Sequence, residues 1–295
     1  MASYNNFSWP LKILFLFCGL MVALFLVAMA LVLVFGTDTG NTNYVIAMSI
    51  AQNLLVFIMP VLLLAMMNKK LEGRRLSRTL WMSKGPSLKS VLLVVLVWIV
   101  ALPAMNYLVE WNQNIEFPSW LQGVESQLRE MEESAAATTS ELLNSQSLSM
   151  MIFMVLVVGV LTGLGEEIFF RSGVLGTMLH GKVNKHVAVW AVAIVFSAFH
   201  LQFFGFVPRV LLGAWLGYLL VWTGEVWTPV IAHALNNSSI VVATYLVNHN
   251  YISDNYIETA GTGAHWLALG SALTTVVLLV VFMRKSPKTD KELMI

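Results

Sequence analysis

Long apolar runs separated by short polar segments dominate the hydrophobic pattern of this chain. Runs near 20 residues with few charges are typical of helices that cross a bilayer. The predicted spans are 11-35, 44-67, 91-109, 149-179, 187-206, 208-222, 226-247 and 264-283. The pattern therefore predicts an all-α, polytopic membrane helix bundle with about eight transmembrane helices.

Composition supports a membrane protein and excludes several classes of site. Hydrophobic residues make up 58% of the 295 residues and charged residues only 11%, which is too little polar surface for a soluble domain. The single cysteine, Cys18, leaves no intrachain disulfide or thiolate metal cluster. The chain has no basic run suited to nucleic acid, so we expect the lipid bilayer to be its main environment.

The basic residues predict an orientation. If the N-terminus is inside, fourteen of them fall on the cytoplasmic side and only Arg129 and Arg209 on the other. The fourteen are Lys12, Lys69, Lys70, Arg74, Arg75, Arg78, Lys84, Lys89, Lys182, Lys185, Arg284, Lys285, Lys288 and Lys291. The positive-inside rule then predicts a multi-pass protein with both termini cytoplasmic. The short spans and compact loops favour a bacterial cytoplasmic membrane.

We interpret residues 1-295 as a single membrane domain. Its parts are N-terminal spans 11-109, an acidic segment 110-148, a core 149-247 and a C-terminal span 264-283. The acidic segment carries seven glutamates against one arginine. Its apolar residues recur at helical spacing, so an amphipathic helix on the outer leaflet or against the bundle is one interpretation. We favour a solvated connecting loop.

Candidate chemistry begins with Glu166, Glu167 and Arg171 in the fourth predicted span. A charge at bilayer depth costs about 2.5 to 3.5 kcal/mol on insertion scales, so intramembrane ionisable residues are functional candidates. The i, i+4 spacing lets Glu167 pair with Arg171, while Glu166 points about 100° away and is available for chemistry. A structural polar cluster and an ion-pathway carboxylate are the alternatives.

Three polar residues on other spans are possible partners: His200, His233 and Asn237. A neutral histidine can orient or deprotonate a water together with a carboxylate. His233 and Asn237 are four residues apart on one helix face and offer two donors for a developing oxyanion. Alternatively, Glu166, His200 and His233 form a zinc site with an open water position. No H-E-x-x-H motif is present, so the zinc signal is weak.

These motifs together resemble a known family. Glu-Glu-x-x-x-Arg at 166-171, Phe-x-x-x-His at 196-200 and His-x-x-x-Asn at 233-237 follow one another on separate predicted helices. In that order they resemble the CAAX prenyl endopeptidase and bacteriocin-processing (CPBP, or Abi) family of intramembrane proteases. The run Arg209-x-x-x-Gly213-x-x-x-Gly217, followed by Thr223 and Gly224, also looks like that family. The resemblance covers about 150-240.

The resemblance implies hydrolysis of a peptide bond by a water held inside the bundle and reached from the cytoplasmic side. Glu166 would be the general base, and His200 would help to hold and activate the water. His233 and Asn237 would stabilise the oxyanion, while Glu167 and Arg171 would order the site. The implied substrate is a membrane-associated protein or peptide, with prenylated CAAX-like chains as the known eukaryotic case.

Metal dependence and the alternative functions stay open at this point. Members of the family are described both as metalloproteases and as metal-free glutamate proteases. Asn237 is a poorer zinc ligand than histidine or a carboxylate, so we favour no cofactor, with Zn²⁺ as the alternative. A noncatalytic immunity or scaffold protein of the same fold is the main rival function. A carboxylate-coupled transporter is the other, although it leaves the histidine and asparagine positions unexplained.

Overall fold

The protein is described by a computed structural model that covers residues 7–36, 41–73, 75–253 and 265–285. Its main helices are α1 (Trp9–Phe35), α2 (Thr42–Lys70), α3 (Leu88–Gln113), α4 (Gln122–Leu143), α5 (Leu148–His180), α6 (Lys185–Ala198), α7 (Phe206–Thr223), α8 (Trp227–Asn248) and α9 (His265–Lys285). No strand occurs within these ranges. Of the basic residues used for the orientation, Arg74, Lys288 and Lys291 lie outside the described residues, as does the side chain of Lys285.

The fold is an all-α polytopic bundle, as predicted. Within the described ranges, seven helices, α4 and α6 excepted, are long and apolar enough to cross a membrane. Helix α6 has 14 residues and a length of roughly 21 Å, which is short of the hydrocarbon core of about 30 Å. The chain is an integral membrane protein with seven candidate spans and one shorter apolar helix.

The predicted span 187-206 is wrong at its end. Helix α6 stops at Ala198, and a connection, residues 199–205, leads to α7 at Phe206. Leu201 in this connection has φ 54°, in the left-handed region. Because most residues from Phe196 to Phe206 are apolar, with Ser197, His200 and Gln202 as the polar exceptions, hydrophobicity alone did not predict the break. Tertiary contacts define it instead, including a hydrogen bond from Ser197 Oγ to Phe206 O at 2.8 Å.

The acidic segment is also more ordered than the connecting loop that we favoured. Helix α3 continues to Gln113, and α4 then runs for 22 residues. Arg129 and Glu125, one turn apart on α4, form an ion pair at 2.7 Å. The amphipathic-helix interpretation was therefore the correct one, and α4 packs against the bundle through contacts described below.

Glycines on α5 let neighbouring helices approach closely. A Cβ at Gly163 would lie 2.9 Å from Ala234 N on α8, and one at Gly165 would lie 3.0 Å from Cβ of Asn53 on α2. A side chain of any size at these positions would push the helices apart. The α5 backbone therefore sits against α2 and α8 at the level of the glutamate pair.

Candidate active site

A buried polar cluster joins α5 to α8. Glu167 lies between two cationic or polar partners, with Oε2 at 2.9 Å from Arg171 Nε and Oε1 at 2.7 Å from His233 Nδ1. Glu167 and Arg171 are both 0% exposed, and His233 is 4% exposed. The ion pair predicted from the i, i+4 spacing is present, and the contact with His233 was not predicted. Gly163 explains that contact, because it brings α8 close enough for His233 to reach Glu167.

Glu166 is buried beside this cluster with a less complete set of partners. Its side chain is 8% exposed overall, and Oε2 lies 3.8 Å from His233 Nε2. That oxygen is buried without a hydrogen-bond partner among the described residues. Native proteins rarely leave a buried polar atom in this state, and a catalytic role or a bound water is a common explanation. Glu167 thus has a close ion-pair contact at each carboxylate oxygen, at 2.9 and 2.7 Å, whereas Glu166 approaches His233 only to 3.8 Å.

Arg171 has two further contacts that the sequence analysis missed. Its Nη2 donates to Gly213 O on α7 at 3.1 Å, and its guanidinium carbon lies 4.7 Å from the centroid of the Phe196 ring on α6. A cation above an aromatic face is attracted by the ring quadrupole. The motif positions Phe196 and Gly213 were noted only as parts of a pattern. Their function in the structure is to hold Arg171 from the α6 and α7 sides.

His200 lies at the edge of the cluster rather than inside it. It is exposed, and its Nδ1 is 2.9 Å from Phe196 O. Its ring packs on the Phe196 ring with centroids 5.0 Å apart, and the same phenyl ring lies 5.9 Å from the His233 ring. Because a carbonyl only accepts hydrogen bonds, Nδ1 must donate, and Nε2 of neutral His200 keeps its lone pair.

Asn237 forms its described hydrogen bonds with groups other than the carboxylates of the cluster. Its Nδ2 lies 3.4 Å from Val158 O on α5, and its Oδ1 accepts from Asn236 Nδ2 at 3.3 Å. The structure therefore brings Glu166, Glu167, Arg171 and His233 together directly. His200 joins them through Phe196, and Asn237 lies one turn along α8 from His233 with its amide turned to the α5 backbone.

The donor set does not match a preformed zinc site. Within the described ranges, no three His, Cys, Asp or Glu side chains are grouped so as to hold a metal ion. The Glu167–His233 contact is of the kind that orients zinc-binding histidines. However, His200 and Glu166 do not converge with His233 on one point. We therefore derive no step through a metal.

The fold and the cluster define a class: an integral membrane protein that encloses an ionisable site within its helix bundle. Residues 148–239 match the family model of the Rce1-like proteins, described as type II CAAX prenyl endopeptidase Rce1-like. The match covers roughly a third of the chain and contains all six predicted site residues. The match agrees with the resemblance drawn from the sequence, and at the family level it supports a CAAX-type intramembrane protease.

The match begins at α5 and ends within α8, so helices α1 to α4 and α9 lie outside it. Searches of curated proteins and of solved structures gave no significant match to the chain.

Proposed function

We propose that the protein is an intramembrane endopeptidase that hydrolyses a peptide bond of a membrane-associated protein or peptide. A lipid-modified, CAAX-like chain is the leading substrate class because of the family match. The observation that carries the proposal is the buried Glu166 oxygen, which has no hydrogen-bond partner among the described residues and lies 3.8 Å from His233 Nε2. A carboxylate in this position can accept a proton from a water.

In the proposed reaction, Glu166 is the general base. It takes a proton from the water as the water oxygen attacks the carbonyl carbon, which gives a tetrahedral intermediate. Glu166 then returns the proton to the amine nitrogen as the C–N bond breaks. General acid–base catalysis of this kind contributes about 10² to 10⁴ in rate. His200 orients the water through the Nε2 lone pair that its bond to Phe196 O leaves available.

His233 and Asn237 are the proposed oxyanion donors. Because an ionised carboxylate only accepts, the contact with Glu167 Oε1 requires a proton on His233 Nδ1. For Nε2 to donate to an oxyanion it must also carry a proton, so His233 acts as an imidazolium whose charge Glu167 balances. The Asn237 amide must break its hydrogen bond to Val158 O before it can donate to the oxyanion. Glu167 and Arg171 order the site without contacting the substrate.

The membrane setting completes the proposal. From the distribution of basic residues we place both termini in the cytoplasm. The short spans and compact loops lead us to place the protein in a bacterial cytoplasmic membrane. Access of the substrate from the cytoplasmic side is what the family resemblance implies.

The test is cleavage of a mixed library of membrane peptides, with and without prenyl groups, by the purified protein in nanodiscs. We expect Glu166→Gln to lower cleavage by at least about 10²-fold with unchanged thermal stability. Glu133→Gln, an exposed glutamate on α4, is the matched control and should cleave like the wild type. Each protein is assayed with and without a strong zinc chelator.

Loss of cleavage only in the Glu166 variant supports the metal-free mechanism. Loss of cleavage by the wild-type protein in the presence of the chelator assigns activation of the water to a zinc ion instead. Equal cleavage by the wild type and Glu166→Gln contradicts Glu166 as the base. Absence of cleavage by the wild type contradicts the peptidase and favours the noncatalytic function.

A further inference from the structure

The connection 199–205 carries His200 but has little regular structure of its own. His200 N donates to Ser197 O at 3.2 Å and Leu201 N to Ala198 O at 3.1 Å, which closes the end of α6. The chain then turns at Leu201 and enters α7. The end of α6 holds His200 through Phe196 O and Ser197 O, and the position of the rest of the connection depends on contacts from other helices.

Glu132 on α4 provides one of these contacts. Its Oε2 accepts a hydrogen bond from Phe204 N at 2.9 Å. On the same helix, the guanidinium carbon of Arg129 lies 4.0 Å from the centroid of the Phe204 ring. Phe204 is 3% exposed. An acidic and a basic side chain one turn apart therefore hold the backbone and the ring of one residue.

Asn112, near the end of α3, provides the second contact. Its Nδ2 donates to Phe203 O at 3.3 Å, and its Oδ1 accepts from Val207 N at 2.8 Å. At 1% exposure Asn112 is fully buried. Its amide thus joins the end of the connection to the first turn of α7.

Helix α4 is itself fixed in the place where it makes these contacts. Arg129 Nη2 donates to Ile115 O at 3.1 Å, and Glu125 Oε2 accepts from Phe117 N at 2.9 Å. Both acceptor and donor belong to the short segment that joins α3 to α4. The ring of Phe117 also packs edge-on against Phe203, with centroids 5.1 Å apart.

The charge of one further residue, Arg209, connects residues 199–205 with the buried cluster. Arg209 on α7 donates to Gln202 Oε1 at 2.7 Å, inside the connection. Its guanidinium interacts electrostatically with both Glu132 and Glu166. The hydrogen bond to Gln202 holds the connection from α7, in addition to the contact that Glu132 makes from α4.

We infer that Glu132 is a positioning residue for the proposed peptidase: through Phe204 N–H it holds the connection that places His200. The inference rests on the proposed function for its catalytic consequence. Glu132 lies outside the segment that matches the family model, so it is a feature of this chain's acidic segment. Glu132 does not touch the reacting atoms and acts only through the connection.

The experiment combines hydrogen–deuterium exchange with kinetics on the full chain in nanodiscs. The variants are Glu132→Ala, which removes the acceptor, and Glu132→Gln, which keeps an acceptor oxygen. Glu133→Ala, at the exposed neighbouring position, is the matched control. We expect Glu132→Ala to raise deuterium uptake of residues 199–206 and to lower kcat about tenfold, with KM within about twofold, as for a misplaced catalytic group.

Glu132→Gln should restore both uptake and kcat, and Glu133→Ala should match the wild type in both. Raised uptake with an unchanged kcat overturns the inference, because the contact would then be structural only. Unchanged uptake in Glu132→Ala overturns it as well. An inactive wild type is a separate result that contradicts the proposed function itself.

Discussion

The buried cluster and the connection 199–205 are the two parts of the site, and they are held in different ways. In the cluster, Glu167 and Arg171 share one helix and have no exposed surface. His200, in contrast, is exposed and sits in a turn whose contacts come from α3 and α4. The first part is fixed by local spacing and close helix packing. The second depends on residues 72 to 95 positions earlier in the chain.

The two parts should respond differently to substitution. Removing one partner of a buried ion pair leaves an uncompensated charge, so substitutions in the cluster should lower the stability of the protein. The connection is held by separate hydrogen bonds of modest individual strength. Substitutions there should misplace His200 while the fold is retained. The substitutions that follow test that contrast in order of decreasing effect.

The largest effect is expected for Arg171→Leu. This change removes the cation that pairs with Glu167 Oε2 and the donor to Gly213 O. Breaking a buried pair in this way costs about 3 to 5 kcal/mol. Thermal unfolding in detergent should show a large decrease in the stability of this variant. Arg129→Leu, whose ion pair with Glu125 is partly exposed, should lose less, and equal losses would remove the contrast between the two regions.

A smaller effect is expected for Gly163→Ala. The new methyl group would lie 2.9 Å from Ala234 N, so α8 must shift and carry His233 away from Glu167. Overpacking of this kind costs about 1 to 3 kcal/mol. We expect lower stability together with lost cleavage. Gly270→Ala in α9 is the control, because its Cβ meets nothing within 4 Å, and an equal loss there would refute the close-approach argument.

Asn112→Ala should cost no more stability than Gly163→Ala and should leave the buried cluster in place. It removes two hydrogen bonds to the connection and the first turn of α7. At about 0.5 to 1.5 kcal/mol each, the loss is about 1 to 3 kcal/mol at most. Exchange of residues 203–207 should rise more than the exchange of α5. Asn114→Ala, which loses an exposed bond to Glu110 O, should leave residues 203–207 unchanged.

The smallest effect is a pH dependence in α4. The hydrogen bond from Phe117 N–H, followed by that from Arg129, holds the pKa of Glu125 below its ordinary value of 4.5. A depressed folded-state pKa gives stability that is present above the unfolded value and is lost as pH falls through the folded one. Exchange of residues 115–129 should therefore rise on acidification below the ordinary value. In Glu125→Gln, exchange of these residues should already be faster than in the wild type and should not depend on pH in that range.

The sequence alone predicted much of the fold and part of the site. Apolar run length predicted an all-α membrane bundle, because the cost of burying polar groups in lipid acts on every residue of a span. The i, i+4 rule predicted the Glu167–Arg171 pair, since helix geometry is local. The order of three short motifs predicted the family, and the family model confirmed it over residues 148–239.

Only the tertiary structure determined the end of α6, the helical state of the acidic segment and the partners of each polar group. Residues 196–206 are mostly apolar, with Ser197, His200 and Gln202 as the polar exceptions, so their hydrophobicity did not predict the break at Ala198. It is defined by hydrogen bonds that the backbone N–H groups of Phe204 and Val207 donate to Glu132 and Asn112, which lie far away in sequence. The contact between His233 and Glu167 likewise depends on a missing side chain at Gly163. Local spacing acts through the geometry of one helix, whereas these contacts require the approach of separate helices that only the packed bundle provides.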